Sequence, residues 1–306
     1  MEATVRVQLR NATAIDIGKK LVELRRNGGV VTQGRVLTLV VCTDGGRGLE
    51  PAIAAATAAA REHPCRVIVV GRVNDGDVPR MDAEIRLGGD AGASEVLILA
   101  LHGPLADHQE SVIVPFLLPD TPIVVWWPTS PPEVPAKDPV GRLAVRRLTD
   151  ATNDADPMAS IASRRAGYTP GDTDLAWGRI TYWRALLVSA LDQAPHEPIE
   201  SARVSGLANE PALDLLAGWL ASRIDGPVQR AIGKLQVELR TRSQTIELVR
   251  PQDGRVATLK RTGKPDSLIT LARRDSWECL AEELRRLDPD EVYHSALNGI
   301  SKVEYV

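Results

Sequence analysis

Residues 35–43 read RVLTLVVCT, and within them residues 37–42 hold one polar side chain, Thr38. Neither a 3.6-residue nor a two-residue period interrupts the run, which predicts a strand buried on both faces. Three similar runs follow at 65–71 (CRVIVVG), 94–101 (SEVLILAL) and 122–127 (PIVVWW), with a shorter strand at 84–87. Helical stretches accompany them. Residues 14–26 (AIDIGKKLVELRR) set Ile17, Leu21 and Leu24 on one side, with Gly28-Gly29 as a stop. Residues 51–62 are alanine-rich, and 108–118 end before Pro119. Strands alternating with helices predict an α/β domain with an open, doubly wound, mostly parallel sheet and right-handed crossovers.

Such sheets bind ligands outside the carboxyl ends of their strands, and two loops leave that edge. In Cys42-Thr-Asp-Gly-Gly-Arg-Gly48, the residues Asp44, Gly45, Gly46 and Gly48 form a candidate phosphate loop leading into a helix. The loop does not complete GxGxxG, since Leu49-Glu50-Pro51 follow. The next strand ends in Arg72, which suits a 2′-phosphate better than a ribose hydroxyl. The second loop, 128–139 (PTSPPEVPAKDP), is too proline-dense for a helix or a sheet interior. It follows Trp126, Trp127 and Pro128, and the two indoles point to opposite faces of their strand. Either one of them reaches the loop-lined crevice, or both pack under flanking helices.

After a polar hinge at 149–156 the character changes. A helix at 157–165 precedes 170–193, PGDTDLAWGRITYWRALLVSALDQ, which predicts a long helix capped by Asp172, with Asp174 at its positive end. At 100° per residue, Trp177, Ile180, Trp183, Leu187, Val188 and Leu191 share one arc. Arg184 lies inside that arc and Arg179 borders it. A guanidinium among indoles either snorkels or pairs within the chain, or it meets a partner, for which tryptophan and arginine are the favoured contact residues. A strand at 199–206, an amphipathic helix at 211–223 and strands at 233–240, 245–249, 255–260 and 267–272 come next. The turns 251–254 and 263–266 make the last three an antiparallel meander, before helices at 277–287 and 290–297. Residues 1–150 are thus expected to form an α/β, Rossmann-like domain, and residues 151–306 an α+β domain.

Composition narrows the function. A charge of −3 and a pI of about 6.0 give no reason to expect nucleic acid as a partner. The sequence has no apolar run long enough to span a membrane and no secretory signal, so a cytoplasmic protein is expected. Cys42 and Cys65 sit at opposite ends of neighbouring parallel strands, too far apart for a disulfide, and Cys279 completes a set expected to be buried and reduced. No Walker A loop, GxSxG elbow, HExxH pair or zinc spacing occurs. We find no catalytic constellation, no metal site and no cofactor.

Three stretches resemble one family, the glucose-6-phosphate dehydrogenase assembly proteins (OpcA). They are Gly34-Arg-Val-Leu-Thr-Leu-Val-Val41, Pro122-Ile-Val-Val-Trp-Trp-Pro128 and, most specific, the D-L-x-W-x-R-x-x-x-W-R pattern from Asp174 to Arg184. The resemblance implies a non-enzymatic factor that binds glucose-6-phosphate dehydrogenase, aids its oligomerisation and raises its activity in the oxidative pentose phosphate pathway, which makes NADPH. The candidate contact residues are Trp126, Trp127, Pro128, Asp174, Trp177, Arg179, Trp183 and Arg184. The alternative is an NADP- or sugar-phosphate-binding enzyme using residues 44–48.

Overall fold

A computed structural model of the protein describes residues 5–27, 35–73, 76–88, 95–192 and 196–306. Gly28-Gly29, Gly34, Ser94 and Gln193, which bound expected elements, lie outside the described residues. In chain order the elements begin β1 (Val5–Leu9), α1 (Ala14–Asn27), β2 (Leu37–Thr43), α2 (Leu49–Glu62), β3 (Cys65–Val73), β4 (Arg80–Leu87) and β5 (Glu95–His102). Next come α3 (Gln109–Ile113), β6 (Ile123–Trp126), β7 (Arg146–Thr149), α4 (Pro157–Ala166), β8 (Asp172–Asp174), α5 (Leu175–Arg179) and α6 (Thr181–Leu191). Then follow β9 (Ser201–Gly206), α7 (Pro211–Ala221), β10 (Val228–Ile232), β11 (Gln236–Arg240), β12 (Thr245–Val249) and β13 (Val256–Arg261). The last are β14 (Lys264–Thr270), α8 (Ser276–Leu284), α9 (Glu291–Gly299) and β15 (Val303–Tyr305). Among the described residues, no helix is long and apolar enough to cross a membrane.

The chain divides into two compact units. One holds Met1–Asp150, Thr169–Asp172 and Ser276–Pro289; the other holds Ala151–Tyr168, Thr173–Asp275 and Asp290–Val306. Helix α8 therefore belongs to the first unit although it comes late in the chain. The buried guanidinium of Arg146 pairs with the Glu283 carboxylate on α8 and donates to the Asp288 carbonyl at 2.8 Å.

The first unit is the expected α/β domain. Its sheet runs β1-β4-β5-β3-β2-β6-β7-β8. Pairs β2/β3, β3/β5, β2/β6 and β6/β7 are parallel, while β4 and β1 join antiparallel at the edge. Every residue of β2 is buried, as its unbroken apolar run requires. Strand β4 is longer than the expected 84–87 and alternates cleanly between buried and half-buried residues. Strand β7 (RRLT) lacks an apolar signal. It is buried because each arginine has counter-groups, Arg147 having the Asp172 carboxylate and the Ala144 and Pro170 carbonyls. The helix expected over 108–118 is only the short α3 and a 3₁₀ turn, Val114–Phe116, because Pro115 offers no N–H to continue it.

The second unit's sheet runs β14-β13-β12-β11-β9-β10-β15. The expected meander is present, but β10 and β15 extend the sheet on the far side of β9 by parallel pairing. The last hairpin turns tightly at Gly263 (φ 72°), so residues 264–266 are strand and not turn. Helix α7 is not amphipathic: ten of its eleven residues are buried, as an all-round apolar sequence requires. Its Gly218 crosses α9 at Gly299, where a Cβ on Gly299 would lie 2.0 Å from the Gly218 carbonyl oxygen. Two bare backbones let these helices touch.

Candidate functional site

In the first unit the chain runs from β2 to β3 to β5 on one side, then returns to β6 on the other side of β2. That reversal opens a crevice at the carboxyl ends of β2 and β6, where doubly wound sheets hold ligands. An open cleft of about 290 Å³ lies there. Cys42 and Thr43 line it from β2, Asp44 from the loop that follows, Arg72 from β3, Trp127 and Ser130 from the loop after β6, and Asp138 from the proline-rich segment.

The loop at 43–48 is built around glycine. The Thr43 hydroxyl accepts from the Gly45 N–H at 3.2 Å, and Gly45 adopts φ 72°, with room for no Cβ against the Arg72 carbonyl 2.7 Å away. Gly46 to Gly48 form one 3₁₀ turn that passes into α2 without a side-chain cap. The electrostatics oppose a phosphate there. Asp44, Asp107, Glu110 and Asp138 line the cleft, whereas Arg72 is spent on an ion pair with Asp107 at 2.6 Å. Asp138 itself accepts from the Val140 and Gly141 N–H groups at 2.9 and 3.1 Å and so fixes the proline-rich segment. Among the described residues, the cleft lining does not fit a dinucleotide's pyrophosphate.

Cys42 lies under this cleft. Burial, and secondarily the Asp138 carboxylate, push its thiol far above the usual range, while burial lifts Cys65 to about 12 against the pull of Arg35. All three cysteines are free and buried, and Leu37, not Cys42, is the register partner of Cys65. Burial thus disfavours the thiolate, the reactive form, at Cys42 and Cys65. Native protein should resist iodoacetamide at all three sites and label fully once unfolded. Mass spectrometry after timed alkylation checks this; rapid native labelling would contradict the burial.

The tryptophan–arginine stretch lies in the second unit and is broken where one helix was expected. Gly171 takes φ 96°, Asp172 is drawn to Arg147, and residues 172–174 extend as β8. Asp174, not Asp172, is the cap. Fully buried, it accepts from the Ala176 N–H of α5 and from the Ala151 N–H, both at 2.9 Å. The chain kinks at Ile180 between α5 and α6.

The indoles face inward. Trp177 and Trp183 are 2 % and 3 % exposed in the second unit's core, and Trp126 and Trp127 are 1 % and 5 % exposed in the first unit. Pro128 is also buried. Of the two readings left open for these indoles, the structure takes core packing. Trp177 Nε1–H donates to Asp290 at 2.8 Å, and the Arg184 guanidinium stacks 3.6 Å over its ring, which explains how a cation sits among indoles. Arg179 and Arg184 are half-buried, whereas Val188, expected on the inner arc, is exposed together with Tyr182. Arg274 lies 5.0 Å over Tyr182 and donates to the Gly178 carbonyl at 2.7 Å.

The model for the glucose-6-phosphate dehydrogenase subunit N-terminal domain matches residues 56–166, and that for the subunit's C-terminal domain matches residues 170–297. The chain belongs to the OpcA family. No curated protein matches it. Among solved structures, this OpcA-family chain is similar to three oxidoreductases at a TM-score of 0.45. They are Synechocystis sp. PCC 6803 biliverdin reductase (10 % identity, 87 % of this chain and 96 % of that one), Caulobacter crescentus aldose-aldose oxidoreductase (12 %, 87 % and 96 %) and a Klebsiella pneumoniae NAD binding oxidoreductase (9 %, 89 % and 96 %). Likeness at that level carries no functional information.

Proposed function

We propose that this OpcA-family chain is a non-catalytic subunit that binds glucose-6-phosphate dehydrogenase, supports assembly of its oligomer and raises its activity. The observation that carries this reading is the match of both family models, in order, over the two halves of the chain. The acidic lining of the crevice supports it, since those carboxylates repel the phosphates of NADP and of glucose 6-phosphate. Activation then works by differential affinity: the subunit binds the active, assembled dehydrogenase better than the inactive form and shifts the population. A ~100-fold activation needs about 2.7 kcal/mol of that difference.

The docking surface in this proposal is the outer side of α5 and α6. Arg179, Arg184 and Val188 make the contact, and Trp177, Trp183 and Asp174 hold them rigid from behind. Trp126, Trp127 and Pro128 act by anchoring the 129–139 loop. The test is co-elution with the dehydrogenase, together with dehydrogenase rates with and without the chain. We expect a stable complex with raised activity, weakened at least tenfold in Arg184→Ala. Calorimetry with NADP and with glucose 6-phosphate should show no heat. An unaided turnover, or dehydrogenase kinetics unmoved at saturating subunit, would overturn the proposal.

A further inference from the structure

One face of the second unit's sheet is core, built from Ala202, Val204, Val237, Leu239, Ile246 and Leu248. The opposite face carries a row of polar residues in register across six strands. Glu304 of β15 pairs with Gln229 of β10, which pairs with Arg203 of β9. Arg203 pairs with Glu238 of β11, Glu238 with Glu247 of β12, and Glu247 with Lys260 of β13. Arg203, Lys260 and Glu304 are exposed, and the other three are half-exposed.

The order of this row, Glu-Gln-Arg-Glu-Glu-Lys, is complementary to its own reverse. A two-fold axis in the plane of contact, parallel to the strands and between β9 and β11, would set Glu304 against Lys260 of another copy. It would set Gln229 against Glu247 and Arg203 against Glu238, each contact made twice. The next row obeys the same axis: Ala231 would meet Val249, and Ser205 would meet Gln236. We propose that this face packs on the same face of a second copy of the chain, as an isologous, aligned sheet-on-sheet dimer.

Two further observations favour that occupant. Glu238 and Glu247 are direct cross-strand neighbours of like charge, which Arg240 offsets in part through an ion pair with Glu238 at 2.5 Å. The dimer would bring a guanidinium onto one carboxylate and an amide onto the other. The footprint is also sufficient: six strands at about 4.8 Å and five residues at about 3.3 Å cover roughly 500 Å² on each copy. The two copies together reach the approximately 1,000 Å² of a specific interface.

Analytical ultracentrifugation of the full chain over a concentration series tests this. The expected result is a dimer whose dissociation constant rises with salt, because the pairs at its edges are screened. Arg203→Glu should raise that constant about 100-fold, tenfold for each of its two symmetric pairs. Arg203→Glu combined with Glu238→Arg should restore it. Lys260→Glu, at the exposed end of the row, gives a second reversal should Arg203→Glu melt early. A monomer up to near-millimolar concentration overturns the proposal, as does a dimer indifferent to both reversals. A monomer whose binding to the dehydrogenase is lost in Arg203→Glu also overturns it, and would give this face to the dehydrogenase.

Discussion

The Glu95→Gln variant is expected to lose about 3–5 kcal/mol of stability, among the largest effects of any single substitution in the first unit. Glu95 opens β5 and is fully buried. Three guanidiniums converge on its carboxylate: Arg25 through Nε and Nη2 at 2.9 Å, Arg35 at 3.3 Å and Arg66 at 2.9 Å. The Arg35 and Arg66 side chains are 5 % and 8 % exposed, so water does not replace a lost counter-charge. Glutamine keeps the volume and one acceptor but leaves the positive charges facing one another. Burial already pulls the Arg66 pKa below its usual value, with the Glu95 charge opposing it. Urea unfolding measures the loss, and a midpoint equal to that of the wild type would mean that other groups neutralise the arginines.

Trp177→Ala is expected to cost a similar 3–5 kcal/mol in the second unit, through a large buried cavity. The indole also holds three neighbours in place. It donates to Asp290, whose other oxygen accepts from the Tyr293 N–H at 2.8 Å and so caps α9. The Tyr293 ring lies tilted at 6.0 Å, and Arg184 stacks on its face. Trp177→Phe keeps a ring for packing and loses the hydrogen bond, so it should cost only about 1–3 kcal/mol. Equal losses for the two variants would show that the Asp290 contact, and not packing, carries the stability. Because Trp177 is the floor under Arg184, a folded Trp177→Phe variant with weakened dehydrogenase binding would also support α5 and α6 as the docking surface.

The two variants mark where sequence and structure parted. Trp177 was conspicuous in the sequence, but its direction was not, because an arc of indoles and arginines fits a core with stacked cations as well as a contact surface. Glu95 gave no signal at all, since its three arginines come from separate stretches of the chain. The same holds for β7, whose Arg146 and Arg147 read as solvated until Glu283 and Asp172 are brought to them. The crevice was partly legible: the glycine loop at 43–48 and the loop after Trp127 were both placed at the carboxyl edge. Their acidity was not, because Asp107, Glu110 and Asp138 join Asp44 only through the crossovers.

By itself the sequence determined the α/β sheet, the α+β character of the second half and the family. Unbroken apolar runs, tight turn residues and the D-L-x-W-x-R-x-x-x-W-R pattern are local, and each is read within about a dozen positions. Only the tertiary structure decided which way the tryptophans face, that Asp174 and not Asp172 caps the helix, and which charges are buried. Those outcomes depend on partners far away in the chain, and burial makes a charge stable only where such partners meet it.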